Sequence, residues 1–145
     1  MIKHILFLSV FSLFFIACDK QRRTTTKIDG EWEISVYKIT DIEGLAEYAV
    51  CSGSYIFNSC TDKSSVCDYS CNLNFTFPGN TGTTIENGTF LVLPDGGYMD
   101  VTSMNAMNIP TSIYNYRILT LTRTDLQLEF TDSTNNIHSL FLKKK

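Results

Sequence analysis

The chain is poor in the residues from which most catalytic and metal sites are built. It carries two histidines in 145 residues. One of them, His4, lies in an apolar leader, so His138 stands alone. Its neighbour Ser139 is adjacent in sequence, the wrong geometry for a base and its nucleophile, and His138 is expected on the solvent face of a strand. Basic residues are not in excess: 12 Lys and Arg face 15 Asp and Glu, for a net charge of −3. No basic face for nucleic acid is expected. The longest apolar run, Ile5–Ile16, is broken by Ser9 and Ser12. It falls well short of the ~20 residues with which a helix spans a bilayer. Phosphate-cradling glycine loops, nucleophile elbows, zinc-helix motifs and EF-hand spacing are all missing. Asp41, Glu43 and Glu47, with Asp62 and Asp68, are scattered over loops, and no pair is placed across a cleft as glycoside hydrolysis requires. The expectation is a non-enzymatic protein without metal or cofactor.

What is present begins at the N-terminus. Lys3 and His4 precede the apolar run, and a small residue, Ala17, precedes Cys18. That is the order of a secretory signal, expected over residues 1–17. Phe15-Ile16-Ala17-Cys18 resembles the lipobox of bacterial lipoprotein signals, with Phe15 in place of the commoner Leu. The resemblance implies a diacylglycerol thioether and an acylated amino group on Cys18. The membrane is then a partner, since two lipid signals already anchor stably. Residues 18–28 are polar, charged and Thr-rich without apolar periodicity, and read as a flexible tether. One domain is expected over residues 29–145.

Lipid on Cys18 leaves four of the five cysteines: Cys51, Cys60, Cys67 and Cys71. An even number in an exported chain points to two disulfides, with three pairings open. If Cys51 and Cys71 share a face of neighbouring strands they can join, and Cys60 with Cys67 would close the loop between them. A four-thiolate zinc site lacks its usual paired knuckles.

The rest alternates with the period of strands. Trp32, Ile34 and Val36 alternate with polar residues, as do Leu73, Phe75 and Phe77, and Leu126, Leu128 and Phe130. Val50–Phe57, Ile113–Leu121 and Ile137–Leu142 are further strands, and residues 42–49 are a short helix or loop. Asn87-Gly88 and Asp95-Gly96 suit tight type I′ hairpin turns. Lys143–Lys145 is a solvated end. About eight or nine short strands make an antiparallel up-and-down meander, closed into a β-barrel or folded as a β-sandwich.

Gly30-Glu31-Trp32 resembles the Gly-x-Trp of the first lipocalin strand. Residues 116–122, 126–128 and 140–143 are similar to the closing strands of small lipocalin-like lipoproteins of Gram-negative envelopes. The resemblance implies an eight-stranded barrel with an apolar cavity open at one end. It also implies a lipid-anchored place in the cell envelope, outer membrane first. In that family the Trp packs at the closed end against an Arg from a late strand, and Arg117 is the candidate to pair with Trp32. The expected function is binding of a small hydrophobic ligand. The alternative is an accessory protein whose barrel is filled by Phe57, Phe75, Phe77, Phe90 and Phe130. It would meet another envelope component through its disulfide-pinned loop. A cavity of about 300 Å³ or more favours the first.

Overall fold

The computed structural model describes residues 20–62 and 65–145. The expected signal segment, Cys18 and Asp19 lie outside the described residues. Eight antiparallel strands follow one another around a closed barrel: β1 (Gly30–Thr40), β2 (Ala46–Phe57), β3 (Cys67–Phe77), β4 (Asn80–Val92), β5 (Tyr98–Met104), β6 (Pro110–Leu121), β7 (Asp125–Thr131) and β8 (Ile137–Lys144). β8 returns to pair with β1, so no sheet edge is left unpaired. The meander is therefore a barrel and not a sandwich.

Two turn readings part company. Asp95-Gly96 does lie in the β4–β5 connection but not as a type I′ turn: of the two only Gly96 has a positive φ, +70°, and its N–H bonds the Leu93 carbonyl at 2.9 Å. Asn87-Gly88 lies inside β4, opposite Met104 and Ser103. There Gly88 lets β5 approach, because a Cβ would sit 1.9 Å from the Thr102 carbonyl oxygen. The hairpin into β4 is instead Pro78-Gly79, with φ of +82° at Gly79. Residues 42–45 are loop, and residues 46–49 already belong to β2.

Three loops at one end of the barrel share a design. Asp41, Asn105 and Asp132 each begin a five-residue connection. Each accepts, through side-chain Oδ1, the backbone N–H groups two and four residues on, at 2.8–3.0 Å. Short polar side chains that bond their own backbone are what tight turns select.

The other end is closed by residues 20–28, and the tether expectation is corrected there. These residues form a helix, α1, laid across the barrel end. Its inner stripe is Gln21, Thr25 and Ile28, 7%, 2% and 0% exposed. Gln21 Nε2 donates to the Val92 carbonyl at 2.6 Å, and Thr25 Oγ1 to the Gln21 carbonyl at 2.9 Å. Two polar residues of three make a stripe that hydrophobic periodicity does not register.

Beneath α1 lies Trp32, fully buried, donating from Nε1 to the Ile28 carbonyl at 2.6 Å. The cation over its ring is Lys144, at 5.0 Å, not Arg117. Lys144 also bonds the Asp29 and Lys27 carbonyls at 2.5 and 3.4 Å, a positive group at the C-terminus of α1. Arg117 faces out. Tyr114, Tyr116 and Ile118 take the inner face of β6, leaving Ile113 73% exposed on the face that Arg117 shares. The last lysines are solvent-exposed at Lys143 and Lys145 but not a loose end: Lys143 and Lys144 lie in β8, Lys143 pairs with Asp125 and Lys145 with Glu31.

Cys60 and Cys67 are joined, with Cα atoms 5.3 Å apart, and clip the β2–β3 loop at the closed end. Cys51 and Cys71 are free. Both point inward, but Cys51 stands opposite Phe75 and Cys71 opposite Tyr55. Four steps along a strand separate them by about 13 Å, beyond the ~7 Å limit between Cα atoms of a disulfide. Burial raises both thiols, Cys71 to about 12 with the Glu86 charge adding to it. The described residues thus hold one disulfide. It closes a loop of separation seven, for which the chain-entropy model gives about 2.5 kcal/mol. The double variant Cys60→Ser/Cys67→Ser is expected to lose about that much in urea unfolding. Reductant should then shift the wild type and leave the variant unmoved.

Candidate binding site at the open end of the barrel

Inside the barrel, toward the end away from α1, lies a cavity of ≈110 Å³. Six rings wall it: Tyr37, Tyr55, Phe75, Tyr114, Tyr116 and Phe130. Leu73 and Leu140 add apolar surface, and Thr84 and Glu86 add polar surface. The space falls below the 300 Å³ at which pockets usually hold ligands of drug size. Phe57 and Phe90, each 1% exposed, fill the closed half.

Tyr37 reaches the cavity because β1 is bulged. Pairing with β8 slips between Ile34 and Val36, leaving Ser35 as the extra residue. Trp32 and Ile34 point inward before the bulge. After it the parity reverses, since one inserted residue swaps the faces. Tyr37 thus faces inward, packing edge-on against Phe75 and Phe77 with centroids 5.8 and 5.3 Å away.

Glu86 arrives by a different inversion. In β4 the aliphatic Ile85 is 71% exposed, while Thr84 and Glu86 turn inward. Tyr69 and Ser103 donate to Glu86 Oε2 at 3.1 and 2.6 Å. Oε1 takes no hydrogen bond from a described residue. Next to this cluster lie Tyr55 and Tyr116, both buried. Burial, above all, holds both phenols well above their ordinary range.

At the rim, a chain of three side chains corrects the expectation for His138. It faces inward, its side chain 13% exposed. Nε2 lies 2.9 Å from Asp132 Oδ2 and Nδ1 lies 2.8 Å from the Tyr37 hydroxyl. The ring stacks on Phe130 at 4.5 Å and 13°. The tautomer with its proton on Nε2 donates to Asp132 and accepts from Tyr37. Tyr37 is pushed up to about 12 by burial, with Tyr114 and Asp132 adding to it. The relay therefore orients a neutral phenol and does not make a phenolate.

Asp132 is held well below the ordinary carboxylate range, first by His138 and then by Thr134. A lowered native value contributes stability above the unfolded value of ~3.9, and that contribution is lost as pH falls below it. Asp132→Asn is therefore expected to lower Tm at neutral pH. The gap to the wild type should close from about pH 4 downward, as read from thermal melts across pH.

No family model and no curated relative matches the sequence. Among solved structures the chain is similar to a redesigned β-barrel at 14% identity, covering 85% of this chain and 96% of that one, with a TM-score of 0.50. A de novo designed fluorescence-activating β-barrel matches at 8% identity, over 81% and 93% of the two chains, with a TM-score of 0.48. The S-type phycobiliprotein lyase of Guillardia theta matches at 8% identity, over 83% and 89%, with a TM-score of 0.40. At these identities the likeness concerns the fold.

Proposed function

We propose that this chain is a non-enzymatic binding lipoprotein: a lipocalin-like barrel, tethered through lipid on Cys18 to the envelope of a Gram-negative bacterium, that takes a small ligand at its open end. The observation that carries the reading is the cavity itself, walled by aromatic rings and holding a carboxylate with a free oxygen. Its ≈110 Å³ favours a small ligand, or one group of a larger one, over the bulky hydrophobic ligand of a hollow barrel. The α1 helix at the closed end supports the orientation, because the chain leading to Cys18 leaves from that end and the cavity faces away from it.

A second reading rests on the rim. Ile42, Leu45, Tyr48, Val50 and Met107 are 75%, 66%, 61%, 80% and 77% exposed at or near the open end. An accessory protein would meet its envelope partner there, whereas the disulfide-clipped loop lies at the tethered end. Mass spectrometry of protein extracted natively from membranes tests the first reading. A triacylated Cys18 as first residue and a co-purifying small molecule are expected. An unmodified Cys18 sinks the anchoring, and an empty barrel with a stoichiometric protein partner favours the second reading.

A further inference from the structure

We propose that the ligand group held in this cavity is a small organic ammonium, free or as the head of a longer molecule. The inference rests on the binding reading above and names the chemistry of that site. Three features converge on it.

The first is the walls. Tyr37 and Phe75 meet at 89°, Tyr114 and Phe130 at 65°, and Tyr116 and Phe130 at 67°, with centroids 5.0–5.8 Å apart. Rings set at steep angles around one space make a box. A cation within about 6 Å of several ring faces is attracted by each ring's quadrupole. The rings contribute little for an anion, which their faces repel.

The second is charge. Glu86 is the one charged side chain lining the space among the described residues. Its Oε2 is occupied by Tyr69 and Ser103, which hold the carboxylate in place, and its Oε1 is left over. Neither Lys nor Arg lines the cavity. Beside the space stand His138, stacked on Phe130, and Asp132, bonded to His138. Glu86 is half-buried, with no Lys or Arg beside it in the cavity lining, and a bound ammonium supplies the cationic partner.

The third is size. An apolar cavity of about 150 Å³ holds one benzene, so ≈110 Å³ admits about four or five heavy atoms by the same measure. A methylated ammonium group has that size, and the open end leaves room for a chain attached to it. Hydrated inorganic cations gain less from aromatic walls, because they give up a tightly held water shell to reach them.

The test compares choline with 3,3-dimethyl-1-butanol, which replaces the quaternary nitrogen by carbon at nearly constant shape. Binding to the full-length protein in non-ionic detergent is followed by calorimetry and by shifts of the tyrosine ring protons. Choline is expected to bind at least tenfold more tightly than the neutral isostere. Glu86→Gln keeps an acceptor for Tyr69 and Ser103. It should weaken choline at least tenfold and leave the isostere unchanged, which also reports that the variant is folded. Equal binding of the two probes, or binding of the isostere alone, overturns the ammonium inference and leaves the cavity reading standing. Binding of neither overturns both. The wild-type comparison decides the matter without any variant.

Discussion

Trp32→Ala is expected to lower the free energy of unfolding by about 3–5 kcal/mol, the range for truncating a large buried aromatic. Trp32 is 0% exposed and sits where three elements meet: the start of β1, the end of β8 and the α1 helix. Its removal takes away the ring under Lys144 and the donor to the Ile28 carbonyl together. The helix then keeps Ile28 and the hydrogen bonds of Gln21, Thr24 and Lys144 among its ties to the barrel. Trypsin cleavage after Arg22 and Arg23 should accelerate in the variant before the barrel melts. Trp32→Phe retains most of the packing and loses the hydrogen bond, so a loss of about 1–2 kcal/mol is expected, as for a buried acceptor left unpaired. Urea unfolding measures both. An alanine variant within 1 kcal/mol of the wild type would show that the end is held by α1 without this residue.

Gly53→Ala should come next, at about 2–5 kcal/mol, adding backbone strain to overpacking. Gly53 has a φ of +113°, which a residue with a Cβ rarely adopts. A Cβ there would lie 2.0 Å from the Asn72 carbonyl oxygen and 2.9 Å from its carbon. That neighbour is backbone in the β2–β3 ladder and has no rotamer by which to move away. The site lies where pairing of β2 with β1 slips between Glu33 and Tyr37. Loosening Gly53 therefore loosens the irregularity that sends Tyr37 inward. Gly44, with φ of +85° and open space around its Cβ position, is the control. Gly44→Ala carries the strain without the clash, and the difference between the two variants isolates the close approach.

Much of the architecture was legible because strands announce themselves by alternation. Leu73, Leu126 and Leu128 are each within 4% of complete burial, on the parity that the pattern assigns. Pro78-Gly79 and the polar loops at Asp132 and Asn105 mark where the chain turns. The alternation fails at β4 and β6, where the barrel interior is lined by Thr84, Glu86, Tyr114 and Tyr116 while Ile85 and Ile113 point to solvent. A rule that sends aliphatic residues inward assigns these faces backwards, and Arg117 was misplaced with them. His138 looked solitary because Tyr37 and Asp132, its partners, come from across the β1–β8 pairing and from the turn before it.

The sequence by itself determined an all-β meander of about eight strands and the cysteine inventory. These are local properties, carried by period, turn chemistry and spacing. Only the tertiary structure decided which cysteines meet, which cation covers Trp32, that residues 20–28 are a helical cap, and which rings enclose the cavity. Each depends on register. One extra residue at Ser35 exchanges the inner and outer faces of a strand. A helix whose buried stripe is Gln21, Thr25 and Ile28 is held by hydrogen bonds to a barrel that forms from the rest of the chain.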